Sequence, residues 1–113
     1  MWACLNDGFL SLVADRNDPN RLLVRARRKE HLTNVFPKAE VFSVAVSDYK
    51  FRALISRAEV AAVVTDRIMG IKYDNFKNSV KDDDLHNAYN SVWSVMYRLQ
   101  DGVKHVVSRV KAK

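Results

Sequence analysis

Five basic side chains occupy one parity of two short segments of the chain, while mostly apolar side chains occupy the other. Guanidinium and ammonium groups in such an array could bind phosphates or carboxylates, and the planar fork of arginine binds both with two parallel hydrogen bonds. Successive side chains of a strand point to opposite faces of its sheet, so two such strands side by side would present one charged face. The five residues are Arg21, Arg25 and Arg27 in the segment 21–27, and Lys50 and Arg52 in the segment 49–55.

The positive charge of the chain is concentrated around these segments. The formal net charge is +6 and the isoelectric point is about 9.7. Residues 16–57 hold ten Lys or Arg against four Asp or Glu, which gives +6, and the charges of the other residues cancel. Nucleic acid, an acidic protein or an anionic membrane could bind to a surface with such a positive charge. Charged residues whose role is only to make a solvent-exposed sheet face soluble would give the same pattern.

The C-terminal residues 101–113 form a second basic group. They hold four basic residues against one acidic residue, and Val103, Val106 and Val110 recur there at helical spacing. We expect a basic tail, helical by its valine spacing, that adds to the charge of the sheet. Its basic residues are Lys104, Arg109, Lys111 and Lys113.

The charged parity of the two segments contains no pair of aromatic residues. RNA-recognition modules use such a pair to stack bases. We therefore expect contact with the backbone of a duplex or a structured RNA rather than base reading. An acidic protein partner fits equally well.

Residue patterns that accompany catalysis are missing from the sequence. There is no glycine-rich phosphate loop and no nucleophile elbow, and His31, His86 and His105 show no metal-ligand spacing. The aspartates at 82–84 are better explained as helix capping than as cation ligands. The sequence predicts no enzyme, no metal and no cofactor.

The single cysteine excludes an intramolecular disulfide. No apolar run approaches the length of a membrane span, and the N-terminus lacks the pattern of a signal peptide. We expect a cytoplasmic protein without a membrane partner.

Hydrophobic periodicity and turn residues predict the element order β-β-β-α-β-β-α-α. This order indicates an α+β fold, in which an antiparallel sheet of about five strands has helices packed on one face. Asn-Asp-Gly at residues 6–8 predicts a hairpin. Residues 1–100 form a single domain and residues 101–113 the tail. The strands are expected at 2–5, 9–14, 21–27, 40–46 and 49–55, the helices at 28–36, 56–70 and 85–100, and a short helical turn at 75–80.

The same periodicity predicts which side chains form the core. Val24, Phe42, Phe51 and Ile55 are expected on the buried face of the sheet, opposite the arginines. Trp93 is expected to anchor the long helix to the sheet, because it lies beside the apolar stripe of that helix.

Several short motifs follow one another in a recognisable order. They are MW at 1–2, GFLS at 8–11, LLVRARR at 22–28, DYKFR at 48–52, YDNFK at 73–77 and VWSVMYRLQ at 92–100. Over roughly residues 1–100, this set resembles a family of small bacterial proteins without an established activity. The resemblance implies a bacterial or bacteriophage origin and a single fold, and it adds no catalytic residue.

Two functions from different classes therefore stay open. The favoured one is a non-enzymatic binding module that presents a basic sheet face to an anionic partner, above all to a nucleic-acid backbone. The alternative is a small protein–protein regulator or inhibitor, for example a bacteriophage-type, anti-CRISPR-like protein acting on a host nucleoprotein complex. A homo-oligomer that uses the apolar side of the tail is also open.

Overall fold

The strands and helices follow the order predicted from the sequence, and all neighbouring strands pair antiparallel. The computed structural model describes residues 1–102, and it confirms the α+β class. The strands are β1 (Trp2–Leu5), β2 (Gly8–Ala14), β3 (Arg21–Ala26), β4 (Phe42–Ser43) and β5 (Phe51–Ser56), in the sheet order β1-β2-β3-β5-β4. The helices are α1 (Lys29–Val35), α2 (Arg57–Met69), α3 (Phe76–Ser79) and α4 (Asp83–Gln100).

One face of the sheet, which we call the inner face, packs against α1 and α2. Val24 of β3 and Ala53 of β5 are paired across the two strands and fully buried. Leu32 of α1 and Val60 of α2 belong to the same cluster, so the predicted apolar parity forms the core. Phe51 is half-buried at its edge. Other large members of the core are Leu10, Leu12, Val35, Phe36 and Ile55.

The β1–β2 hairpin forms as predicted, and the structure shows why its glycine is needed. Asn6 and Asp7 form the turn, and Gly8 is already the first residue of β2. Among the described glycines, Gly102 is the one with a positive φ, so Gly8 does not serve a left-handed turn. A Cβ at Gly8 would lie 2.7 Å from the carbonyl oxygen of His31. Glycine is required at this position because α1 approaches the backbone of β2 so closely.

The fourth strand is shorter than predicted, and its aromatic residue lies on the other face. Phe42–Ser43 pairs with β5, instead of the whole segment 40–46. Phe42 lies directly opposite Arg52, and directly paired residues share a face of the sheet. The prediction that Phe42 belongs to the core is therefore wrong, and this residue is 44% exposed. The alternation of residues 40–46 did not fix the pairing register, which decides the face.

The first turns of α4 contact the opposite side of the sheet, which we call the outer face. Leu85 and Tyr89 are buried against Phe9 of β2. The hydroxyl group of Tyr89 donates to the carbonyl oxygens of Leu5 (2.9 Å) and Gly8 (3.1 Å), at the end of the hairpin. The expectation that the helices pack on one face is therefore wrong for α4.

Trp93 does not anchor α4 to the sheet. It is 52% exposed, and its ring stacks on Tyr97 at a centroid distance of 5.3 Å. The ammonium group of Lys77 lies 4.3 Å from the centre of the Trp93 ring. Val92 and Met96 of the same helix are exposed as well.

Both ends of α4 agree with the sequence. The carboxylate of Asp82 accepts a hydrogen bond from the amide of Leu85 at 2.9 Å, which confirms the capping interpretation of the aspartates. The amide of Gly102 donates to the carbonyl oxygen of Leu99, and Gly102 has a φ of 82°. The helical tail predicted after this residue lies outside the described residues. Within residues 1–102, no helix is long and apolar enough to cross a membrane.

Candidate nucleic-acid interface

A single row of residues crosses the outer face through all five strands. Trp2 pairs with Ser11, Ser11 with Arg25, Arg25 with Arg52, and Arg52 with Phe42. Each pair is directly opposite in its ladder, so the five side chains share one face. Two arginines thus lie side by side in the middle of the sheet, with one aromatic residue at each end of the row.

Tyr49 lies beneath the arginines of this face. The guanidinium carbons of Arg25 and Arg27 lie 4.6 Å and 4.2 Å from the centre of the Tyr49 ring, which is buried. Arg27 also lies 5.7 Å from the ring centre of Phe9. Alternation over the predicted strand 49–55 puts Tyr49 on the apolar parity with Phe51; its ring contacts the arginines of the outer face instead, because β5 begins only at Phe51. The ring holds two cations together by cation–π attraction.

Arg25 is fixed at the centre of the face. Its Nη2 atom donates to the hydroxyl group of Ser11 at 2.8 Å. Its Nε atom is buried without a hydrogen-bond partner in the described part of the chain. A buried donor of this kind is costly to leave unpaired.

Arg52 organises the turn that precedes β5. Its Nε atom donates to the carbonyl oxygen of Tyr49 at 3.1 Å, and its Nη2 atom donates to the hydroxyl group of Ser47 at 2.5 Å. The carboxylate of Asp48 lies 3.8 Å away and is largely exposed. Part of the hydrogen-bonding capacity of Arg52 therefore serves the fold.

Arg21 is neutralised at the far end of β3. Its guanidinium group lies 2.9 Å from the carboxylate of Asp15 and 3.5 Å from that of Asp18. We therefore remove Arg21 from the predicted interface. Sequence alternation placed it with the other arginines because alternation reports the face of a strand but not the loop residues at its end.

Arg27 and Lys50 are exposed, and with Arg25 they form no salt bridge to any residue that the structure describes. Lys50 precedes β5, and its ammonium group lies 6.0 Å from the ring centre of Phe51 on the inner face, so it is not brought together with the arginines of the outer face. Other arginines of the protein are paired, as Arg28 is with Asp84 at 2.8 Å and Arg67 with Asp7 at 2.7 Å. The positive charges of Arg25 and Arg27 on the outer face are thus not compensated by a carboxylate of the described residues. The basic residues of the tail, Lys104, Arg109, Lys111 and Lys113, lie outside the described residues.

A cavity of about 340 Å³ lies between the outer face and α4. Trp2 and Phe9 form its sheet side, and Leu85 and Ala88 belong to its α4 side. Arg27 also lines it, so the cavity is largely apolar with a cation beside it. Sequence reasoning missed this site because it depends on α4 packing against the outer face.

Metal ligands do not cluster in residues 1–102, where no group of three or more His, Cys, Asp or Glu could hold an ion. Comparison of the chain with protein-family models, with curated proteins and with solved structures finds no match. The resemblance to a bacterial family therefore stays a prediction from the sequence motifs.

Proposed function

We propose that the protein is a non-enzymatic binding module that presents its outer face to the phosphates of a nucleic acid. The observation that carries this proposal is the pair of Arg25 and Arg27 on the outer face, neither of which forms a salt bridge to a described residue. Most other arginines that the structure describes have carboxylates or carbonyl oxygens as partners. Charges that only served solubility would have no reason to gather on one face.

The arrangement suits phosphates for a second reason. Cation–π contacts with Tyr49 fix the positions of Arg25 and Arg27 without using their N–H groups. The N–H groups of Arg27 stay available for bidentate hydrogen bonds to a phosphate, whereas Arg25 already uses its Nη2 atom on Ser11 and its Nε atom is buried. Because the two side chains are already ordered, less conformational entropy is lost on binding.

Arg27, the exposed member of this pair, gives the sharpest test. We expect the variant Arg27→Gln to bind DNA or RNA about tenfold more weakly or worse, since a hydrogen bond to a charged group contributes about 1.5–3 kcal/mol. The matched control is Arg16→Gln, which removes the same charge from an exposed loop position. Anisotropy titrations at several salt concentrations measure both affinity and salt slope.

The salt slope distinguishes a specific loss from a change in net charge. Each phosphate contact that disappears should flatten the slope by about 0.9 on B-DNA and about 0.7 on a single strand. Equal losses in Arg27→Gln and Arg16→Gln would show that the net charge, and not the outer face, drives binding. An unvaried protein that binds neither DNA nor RNA at low salt would refute the proposal.

The alternative function, a protein–protein regulator or inhibitor, draws support from α4. Val92, Trp93, Met96 and Leu99 are exposed on this helix, and exposed apolar patches mark protein interfaces. Affinity capture from a nuclease-treated bacterial lysate would test it. A partner that is retained by the unvaried protein and lost with Met96→Asp would favour this second function.

A further inference from the structure

The row across the outer face ends in an exposed aromatic residue on either side. Trp2 is 72% exposed and Phe42 is 44% exposed. They lie on the two edge strands, so four strand spacings separate them, which amounts to about 19 Å. Arg25 and Arg52 lie between them. Large aromatic residues at the rim of a polar face are costly to leave in water, and here they frame the basic cluster.

We propose that the ligand of the outer face is single-stranded nucleic acid, with bases stacked on Trp2 and Phe42 and phosphates on the arginines between them. This inference rests on the proposed function and narrows it to one class of nucleic acid. The aromatic pair that a base-stacking sheet needs is present, contributed by β1 and β4 rather than by the two arginine strands.

A duplex could not use this surface in the same way. Its bases are stacked on one another and expose only their edges, whereas the bases of a single strand can turn their faces to a ring. Stacking on aromatic side chains together with a basic track for the backbone is the general mode of single-strand binding. The outer face provides both components in one row.

The cavity beside Trp2 provides room for a base next to this row. Its volume of about 340 Å³ lies at the small end of the range for ligand pockets. Phe9 and Leu85 line its apolar part, and the cation of Arg27 lines it where a phosphate could be held. We place one base of the strand in this cavity, against the ring of Trp2.

Stacking variants test the inference on the full-length protein. The probes are labelled oligothymidylate and oligouridylate of about 12 nucleotides, which span one site of this size, and a DNA duplex of the same length. We expect the unvaried protein to prefer the single strands. Trp2→Leu and Phe42→Leu should each weaken single-strand binding about 5- to 150-fold, which corresponds to the loss of one base stack.

Control variants and the salt slope distinguish a loss of base stacking from a general effect on the fold or on the net charge. Trp2→Phe keeps an aromatic ring and should recover most of the affinity, while Trp93→Leu removes an exposed aromatic residue elsewhere and should bind normally. The salt slope should stay unchanged in the stacking variants, because they remove no phosphate contact.

The outcomes of the experiment distinguish the single-strand inference from the proposed function on which it rests. Equal or tighter duplex binding, with Trp2→Leu and Phe42→Leu binding as the unvaried protein does, would overturn the single-strand inference and leave the proposed function standing. Failure of all probes to bind at low salt would overturn both. Preference for single strands together with the aromatic requirement would support both.

Discussion

The two faces of the sheet are organised by different interactions, although the same strands form both. On the inner face, apolar side chains such as Val24 and Ala53 are excluded from water by α1 and α2. On the outer face, the order comes from directional contacts of Arg25 and Arg52 with hydroxyl groups, a carbonyl oxygen and a ring. The order of the inner face therefore depends on the volume and burial of apolar side chains. The order of the outer face depends on the geometry of hydrogen bonds and cation–π contacts.

This difference explains why the outer face is the better candidate for function. Non-directional burial stabilises the inner face but leaves no group free to bind. Cations held by a ring and by hydroxyl groups keep unused donors, at positions that are fixed in advance. A binding site requires a well-ordered polar surface with unpaired charge. A surface that is only solvated needs no ordered side chains, and carboxylates could neutralise its charges without harm.

Substitution of Ile55 and of its neighbour Leu54 in β5 should show the largest difference in stability between the two faces. Ile55 points into the inner face and is 6% exposed. We expect Ile55→Ala to lower the free energy of unfolding by about 2–5 kcal/mol, through lost burial and the cavity left behind. Denaturant-induced unfolding followed by circular dichroism measures the change. A loss below about 1 kcal/mol would mean that this part of the core is loosely packed.

Tyr49 tests whether cation–π contacts order the outer face. Tyr49→Leu keeps an apolar side chain but removes the ring beneath Arg25 and Arg27. We expect a destabilisation of about 1–2 kcal/mol, since two such contacts contribute about 0.5–1 kcal/mol each. Tyr49→Phe is the control, because its ring preserves both contacts and should leave stability close to that of the unvaried protein. Equal losses in the two variants would contradict this role of the ring.

The sequence predicted the inner face well because alternation and burial are local signals. The parity of β3 and β5, the β1–β2 hairpin and the capping of α4 by Asp82 all follow from neighbouring residues. The outer face depends on register and on packing between distant segments. Phe42 was assigned to the wrong face because the register of β4 against β5 decides its position.

The candidate site was therefore only partly predictable. Alternation placed Arg25, Arg27 and Arg52 together, but it also included Arg21, which the carboxylate of Asp15 neutralises. The buried position of Tyr49 and the cavity beside α4 arise from contacts between elements far apart in sequence. No periodicity within one segment carries that information.

His31 links α1 to the strand that carries Phe9, and it makes stability depend on pH. Its Nδ1 atom accepts a hydrogen bond from the amide of Phe9 at 3.3 Å, which requires an unprotonated nitrogen. Burial lowers the pKa of His31 below its ordinary value of 6.5; nearby Arg28 lowers it further, and Glu30 and Asp82 oppose the shift. Below pH 6.5 the unfolded chain then binds more protons than the folded one, so stability falls as the pH decreases.

The measurement is the free energy of unfolding between pH 8 and pH 5. We expect it to decline below about pH 6.5 and to decline less steeply in His31→Gln, whose side chain does not titrate in this range. Carboxylates add their own pH dependence at lower pH in both proteins, so the difference between the two curves is the informative quantity. Parallel curves would contradict the assignment to His31.

Leu54 should show the smallest effect and completes the contrast with Ile55. It is the preceding residue of β5, lies on the outer face opposite Leu23, and is 43% exposed. Because Leu54→Ala removes little buried surface, we expect a loss of about 1 kcal/mol or less in the same unfolding experiment. A loss as large as that of Ile55→Ala would mean that the outer face is covered in solution. A face covered by the protein itself could not receive a nucleic acid, so this small effect is also a condition for the proposed site.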